Sequence, residues 1–466
     1  MNFKKSLTLE DNIKILDFKF NDTKIPMYLM IRHYLLQSFV DNGFSLTDYS
    51  PKQKIKLVDF ILFVFNALIN NLFRSPKRDI YIFSPDIQYK KVKDKYVNHL
   101  YDFFVDTYPN QTQIILESSN YKNKSPKNKV VYFKFIIKLI SNICGRLTTI
   151  KKEDMESIKL FLDFLRNNSP YKIEEYTLSI IEKTLKSNAK QLKYRQFLNY
   201  QFLKRKKPKL ILVEGAHYLN EPISIIMAAK KLNIKVGEVQ HGYIGPSHRA
   251  YNFSKKLQPL IKEYLPDYFL SFGKFWNESI NITAKKITIG NSELLKNKTL
   301  YSNKTKQKKQ ILFISGGTVY DRIVKLVSDV YNELNSDGYK IIFRPHPAER
   351  AEIENRYNSL VKMGIQIDTG NLFDSLGHSQ IIVSMDVSTV LYESVCFTNK
   401  IYLEDSKYNS FYEPNHMFIK FSNACELIES IRNNTEINLK PDDFWDSNFK
   451  NNYQNFIKSI MDDNNN

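Results

Sequence analysis

The stretch Lys340 to Arg350, K-I-I-F-R-P-H-P-A-E-R, decides the fold of this 466-residue chain. Ile341, Ile342 and Phe343 read as a short buried strand. Pro345 and Pro347 fix their own φ and push Arg344 and His346 out of helical geometry, so the strand ends in a stiff turn. Arg344, His346 and Arg350 are thereby gathered at a strand's carboxyl end, the place where open α/β sheets bind ligands. An anionic ligand, most simply a nucleotide mono- or diphosphate, suits such a cluster. A surface turn with incidental charge is the plain alternative.

Outward from this stretch, strands alternate with helices. Residues 310–314 read as a strand, followed by Ser315-Gly316-Gly317-Thr318 and a helix to Leu334. Beyond it come a helix near 351–363, strands at 365–368, 380–384 and 400–403, a helix from about Thr389, and another over 423–434. Upstream, strands are expected at 79–84, 113–117, 210–213, 234–239, 268–272 and 286–290, with a helix over 221–232. This alternation predicts parallel sheets and an α/β fold. The polar, basic segment 291–309 reads as a linker, so the domains are expected to be 79–300 and 301–435. The first carries a helical insertion over about 118–206, beginning with a Lys/Asn/Ser loop at 118–129. Residues 1–78 read as a helical N-terminal region, and 436–466 as a segment that packs back and frays at its end.

The balance of 68 Lys+Arg against 49 Asp+Glu leaves a net charge of +19, which implies an anionic partner. No RRM signature, zinc finger or Arg-rich arm accompanies it, so specific nucleic-acid binding is not expected. Cys144, Cys396 and Cys425 are far apart and form no CxxC or ligand spacing; they fit thiols in a reducing cytoplasm. The N-terminus has no apolar h-region, and no apolar run reaches the length of a membrane span. The segment Gln53 to Phe73 contains L-V-D-F-I-L-F-V-F-N-A-L-I-N-N-L-F between Lys/Arg flanks, and Val130 to Ile150 repeats the basic, apolar character. Each reads as a helix lying in a membrane interface or as a buried helix of the domain.

Four motifs sit where strands end. Gln240-His241-Gly242 closes a strand; a near-neutral imidazole there is a natural general base for a hydroxyl, and a satisfied structural histidine is the alternative. Glu238 precedes it on the strand, on the opposite face if the strand continues. His248 and Tyr251 follow on the loop. Glu214-Gly215-Ala216-His217 closes the preceding strand, and Glu214 reads as an orienting group, a base, or a helix N-terminal carboxylate. Ser315-Gly316-Gly317-Thr318 lets a backbone approach phosphate before a helix, although no G-K-[ST] follows. In Ser384-Met385-Asp386-Val387-Ser388-Thr389, Ser388 and Thr389 can hold a phosphate or simply cap a helix, and Glu393 lies a turn further on, where it could take ribose hydroxyls. There is no D-x-D after a strand, no G-x-G-x-x-G and no G-x-S-x-G, so metal-chelating sugar transfer, hydride transfer and serine hydrolysis lack their markers.

The order Q-H-G, R-P-H-P, then S-x-D-x-S-T-x-L-Y-E over residues 210–405 resembles bacterial surface-polysaccharide glycosyltransferases of the GT-B fold. More distantly it is similar to bacterial sialyl- and polysialyltransferases and to the CDP-glycerol polymerases of teichoic-acid synthesis. The resemblance implies two Rossmann-like domains facing a cleft, the first binding acceptor and the second holding the nucleotide of the donor. It implies that His346 and Ser388-Thr389 hold the donor nucleotide; Arg344, the 315–318 loop (Ser315, Gly316, Gly317, Thr318) and Glu393 join them as donor-side candidates from the reading of the strand ends. The catalytic group is His241, with Glu214 and Glu238 as further candidates; His248 and Tyr251 fall on the acceptor side. Where the sialyltransferases have an acidic-Gly motif this chain has Gln240-His241-Gly242, which favours His241 as base.

The expectation is therefore a metal-independent, inverting glycosyltransferase without a resident cofactor, using a nucleotide-activated sugar, with a CMP-linked acidic sugar favoured. The acceptor expected is a glycan or lipid-linked glycan at the cytoplasmic face of the plasma membrane, where the enzyme would be peripheral on anionic lipid. A polyol-phosphate transferase using a CDP donor and a non-catalytic glycan- or lipid-binding assembly factor are the alternatives.

Overall fold

The computed structural model describes residues 2–44, 75–92, 94–117, 126–132, 134–301, 309–317 and 320–462, together with positions 58, 61, 64, 65, 67 and 69. Most of the expected helix 53–73, most of the loop 118–129, residues 302–308 and Thr318 lie outside them.

The chain forms two α/β lobes, each around a parallel sheet, as the alternation predicts. In the first lobe the strands are β1 (Ile80–Pro85), β4 (Thr112–Glu117), β5 (Val130–Tyr132), β6 (Leu210–Val213), β7 (Lys235–Val239), β8 (Tyr268–Ser271) and β9 (Lys285–Thr288). They lie in the order β5-β4-β1-β6-β7-β8-β9. A separate antiparallel hairpin, β2 (Tyr89–Val92) and β3 (Lys95–Asn98), follows β1. The second lobe has β10 (Gln310–Ile314), β11 (Lys340–Arg344), β12 (Gln366–Ile367), β13 (Ile381–Ser384), β14 (Ile401–Glu404) and β15 (Ile419–Phe421), in the order β12-β11-β10-β13-β14-β15. Strands such as Leu-Ile-Leu-Val at β6 and Ile-Ile-Val-Ser at β13 are buried throughout. That is what a sheet covered on both faces requires, and why these strands read as continuous apolar runs.

The helices that matter for the site are α1 (Met27–Phe44), α2 (Lys134–Arg146), α3 (Lys152–Asn168), α4 (Glu175–Lys206), α5 (Ile223–Lys231), α6 (Ser292–Tyr301), α7 (Tyr320–Ser336), α8 (Thr389–Ser394) and α9 (Phe449–Asp462). Helix α1 is buried along much of its length, and Arg32 within it anchors the N-terminal segment to the first lobe. Its guanidinium pairs with Glu10 at 2.6 Å, donates to the carbonyl of Asn252 at 2.8 Å and also reaches the carbonyl of Arg249. Glu10 in turn accepts the Ser254 backbone N–H at 2.8 Å. A buried guanidinium is tolerable only with such complete pairing.

Helices α2, α4 and α5 pack on one another over the first sheet. The helical section begins later than its sequence implies, because Val130–Tyr132 forms β5 at the sheet edge. The segment expected to be a linker is helical as far as Tyr301, with Leu294 fully buried. At the far end α9 returns to the first lobe: Tyr453 packs edge-on against Phe104 at 4.1 Å and Phe456 against Tyr268 at 5.4 Å.

An aromatic clamp joins the lobes. Tyr243 stacks on Tyr392 at 5.7 Å and donates its hydroxyl hydrogen to the Tyr412 carbonyl. Trp276 Nε1 donates to the Phe444 carbonyl at 2.8 Å and Trp445 Nε1 to that of Tyr392 at 3.2 Å. Each ring fills core volume while its N–H or O–H finds an acceptor, the condition for burying Tyr and Trp.

Candidate active site

The carboxyl ends of the two sheets meet at the loop Met385–Thr389. A Cβ at Gly242 would lie 3.5 Å from Thr389 Oγ1, so Q-H-G of the first lobe touches S-T of the second. At the other end of the same loop the Asp386 side chain packs so closely on Gly316 that any Cβ there would collide with it. Gly317, at φ 87°, faces His346, whose Cγ would stand 3.3 Å from a Cβ. The left-handed φ and the tight approach together demand glycine at 317. One loop thus connects the motif of His241 with that of His346.

His241 lines a cavity of about 470 Å³ at the ends of β1, β4, β6 and β7, roofed by α2, α4 and α5. Glu214 lines the same cavity from the neighbouring strand end. Burial lowers the His241 pKa, partly offset by Glu238, so the ring is neutral at pH 7 with a lone pair to offer. Its Nδ1 has no hydrogen-bond partner among the described residues. Burial pushes the Glu214 carboxyl up to about 8. Gln88 donates to its Oε1, while its buried Oε2 has no hydrogen-bond partner among the described residues. At neutral pH these two groups of the cavity wall are a free base and a largely protonated acid. The loop that follows Glu214 is strained: Leu219 adopts φ 63°, ψ −149°, a region that costs a branched residue of order 1–3 kcal/mol and that clusters at functional sites.

Glu238 is fully buried and points elsewhere. Its Oε2 receives the His217 backbone N–H at 3.0 Å and pairs with His217 Nδ1, and its Oε1 accepts the Tyr251 hydroxyl at 2.8 Å. Glu238 and Tyr251 are therefore consumed by each other and do not line the cavity. His248 is held between the rings of Tyr218 and Tyr251 and is kept neutral by burial.

In the second lobe, His346 is exposed, and its Nδ1 accepts the Ala348 N–H at 3.3 Å. The Nε2 position then carries the hydrogen, and burial of the ring edge lowers the pKa, so His346 presents a neutral N–H donor. Ser315 Oγ accepts the Gly317 N–H at 3.2 Å, which shapes the loop. Ser388 precedes α8 without making a side-chain capping bond. Glu393 is pushed up to about 7 by burial, with Lys90 lowering and Glu293 raising it.

Arg344 differs from the free cation that the sequence implies. Its guanidinium is ion-paired to Asp368 and donates to Ser375 Oγ at 3.2 Å and to the Gly370 carbonyl at 2.8 Å. The side chain fixes the ends of β11 and β12 to one another. Several residues of the site carried no sequence signal of their own. Gln88 and Lys90 come from the hairpin region; Lys90 Nζ lies 3.9 Å from Glu293 and 5.8 Å from the Phe373 ring centre. Arg195 and Asn199 of α4 also line the cavity. Among the described residues no group of three or more His, Cys, Asp or Glu could hold a metal ion.

No protein family and no curated protein matches this sequence. Among solved structures it is similar to the UDP-GlcNAc 2-epimerase of Methanocaldococcus jannaschii in complex with UDP-GlcNAc and UDP: 14% identity over 82% of this chain and 99% of that one, TM-score 0.44. The trehalose 6-phosphate synthase of Burkholderia multivorans aligns at 10% identity over 83% and 97% of the two chains, TM-score 0.40. The pneumococcal O-GlcNAc transferase in complex with UDP and GlcNAc aligns at 14% identity over 57% and 60%, TM-score 0.37.

Proposed function

We propose that the chain is a metal-independent, inverting glycosyltransferase of GT-B type, acting in bacterial surface-polysaccharide assembly: capsule, O-antigen or lipooligosaccharide. It transfers a sugar from a nucleotide-activated donor, with a CMP-linked acidic sugar favoured, to a glycan or lipid-linked glycan. The observation that supports this reading is the close approach of Gly242 to Thr389, which brings the Q-H-G motif of one lobe against the S-T motif of the other. His241 takes the proton of the acceptor hydroxyl as the acceptor oxygen attacks the anomeric carbon. The bond from that carbon to the nucleotide phosphate breaks, and the phosphate departs toward His346 Nε2–H, the Ser388 and Thr389 hydroxyls and the backbone of 315–317. Donors fixed before reaction are the strongest form of help for such a leaving group. Arg344 contributes by holding the β11 turn.

Peripheral attachment at the inner face of the plasma membrane is part of the proposal. Among the described residues no helix is long and apolar enough to cross a membrane. Val58, Ile61, Phe65 and Ile69 are exposed at helical spacing, as are Leu139 and Ile143 of α2 and Leu147 just after its end. Apolar stripes beside many lysines are the composition of an interfacial helix.

A thermal-shift panel of CMP, CDP, UDP and GDP, on wild type and His346→Ala, tests the proposal. One nucleotide is expected to raise the melting temperature of wild type and to do so much less in the variant. Absence of any shift, or equal shifts in both proteins, refutes the nucleotide site. Product mass separates sugar transfer from transfer of a polyol phosphate.

A further inference from the structure

The 470 Å³ cavity holds more than the two reacting groups. Its wall is apolar at Phe83, Ile137, Val213 and Ile225, and polar at Gln88, Asn199 and Ser224. A cation, Arg195, reaches it from the middle of α4, and Lys138 stands on α2. Among the described residues Arg195 makes one hydrogen bond, from its NH2 group to Gln191 Oε1 at 2.6 Å on its own helix, and no ion pair within 4 Å. Arg32, Arg344 and Arg356 by contrast are each paired with a carboxylate, Glu10, Asp368 and Glu349 respectively, whereas Arg195 is half-buried without such a pair. Burial lowers the Arg195 pKa, with Glu221 the one charge that counters it. Glu221 and Glu117 line the same cavity but form no ion pair with Arg195 within 4 Å, so most of its N–H donors meet no protein acceptor among the described residues, a costly state for a guanidinium drawn from water.

From this geometry we propose that the cavity is an acceptor pocket for an amphipathic molecule bearing an anionic group, a carboxylate or phosphate, which Arg195 binds directly and Lys138 attracts at the rim. The inference rests on the transferase reading for what happens next, since the bound molecule lies beside His241. Helix α2 adds a reason for the amphipathic character. Ile137 and Lys138 face the cavity, while Leu139 and Ile143, on the same helix, are exposed to the outside. A molecule in the pocket and an apolar phase outside would be separated by one helix. Planar, forked donors make Arg the residue suited to such an oxyanion.

Binding is measured by titration calorimetry with two matched pairs of probes: methyl β-glucuronide against methyl β-glucoside, and decyl phosphate against decanol. In wild type the charged member of at least one pair is expected to bind roughly ten- to a hundredfold tighter, the range a charge-assisted hydrogen bond supplies. A glucuronide preference points to a sugar-borne carboxylate, and a decyl phosphate preference to a lipid-borne phosphate. In Arg195→Gln the preference collapses, and in Arg195→Lys part of it returns. Lys138→Ala, on an exposed side chain that does not threaten folding, weakens only the charged probe, by a smaller factor. Equal binding within both pairs, no binding of any probe, or a preference that survives Arg195→Gln overturns the inference. An Arg195-dependent preference in a protein that binds none of the four nucleotides would sink the transferase and leave the anion pocket standing.

Discussion

Replacing Glu214 by glutamine separates its two chemical states. The carboxyl, pushed by burial from 4.5 to about 8, is favoured in the folded chain only while it carries its proton. A group with a raised folded pKa contributes its full stability below the unfolded value and loses it as pH climbs through the folded one. At 1.36 kcal/mol per pH unit, wild type forfeits roughly 3 kcal/mol by pH 7 and about 4 kcal/mol by pH 8, but less than ~1 kcal/mol at pH 5. Glutamine keeps the shape, still accepts from Gln88, and never ionises. Its stability relative to wild type is therefore expected to grow by roughly 3 kcal/mol between pH 5 and pH 8. Urea unfolding of both proteins at those two pH values measures it. Parallel curves would mean that the folded chain holds the carboxylate as readily as water does, and the argument from burial would be wrong. Activity gives the second reading. With His241 as base and Glu214 protonated, Glu214→Gln is expected to keep most turnover at pH 7 and to lack the decline above about pH 8 expected of wild type. A drop of ~10²–10⁴ at pH 7 would instead give the role of base to Glu214.

Other outcomes are equally specific. His241→Asn is expected to lower kcat by ~10²–10⁴ while nucleotide-induced thermal shifts persist; because the His241 pKa is lowered, wild-type kcat/KM should show no acid limb at the usual histidine value near 6.5. Asp368→Ala leaves the buried Arg344 charge uncompensated and should cost roughly 3 kcal/mol in denaturant unfolding, whereas a pair of no structural value would cost almost nothing. Gly316→Ala drives a Cβ into the Asp386 side chain and is expected to abolish nucleotide binding; an unchanged thermal shift would remove the 315–317 loop from the donor site. Raising salt should release the protein from anionic vesicles in flotation while leaving nucleotide binding nearly intact, and a parallel loss of both would contradict a donor site built from neutral groups.

The strands of the second lobe were legible because each is a short apolar run bounded by turn residues; 310–314 and 340–344 fall within a residue of expectation. The hairpin β2–β3 was not. Tyr-Lys-Lys-Val and Lys-Tyr-Val-Asn lack apolar alternation, because most of their side chains are solvated or turned toward the cleft. Val130–Tyr132 was absorbed into a helix since V-V-Y-F-K-F-I-I-K is apolar at either period. Lysines disguised the helix 292–301 as a linker. The positions of His241, His346 and Glu214 followed from strand ends and Pro/Gly punctuation, which are local. The partners of those residues did not follow, because pairing is tertiary. Nothing in R-P-H-P announces that Arg344 will meet Asp368, and an arginine in the long polar helix 175–206 looks like any solvated one until the sheet is placed beneath it.

That difference bears on how the charge of +19 is used. Read from sequence, the excess seems to converge on the strand ends as a phosphate cluster. In the structure most of the charge at the strand ends is offset: His241 and His346 are neutral, Glu214 holds its proton at pH 7, and Arg344 is cancelled by Asp368, which leaves Arg350, half-buried and without an ion pair among the described residues, as the cation of the β11 turn. On the proposed reading a leaving phosphate there would meet oriented N–H and O–H dipoles, which stay in place when the nucleotide goes and so would release it readily. The surplus of lysine lies on the outside, where its reach is a Debye length and its natural counterpart is an extended anionic surface. Arg195, half-buried in the cavity that His241 also lines and hydrogen-bonded only to Gln191 among the described residues, is the cation that the proposal pairs with an anion of the acceptor.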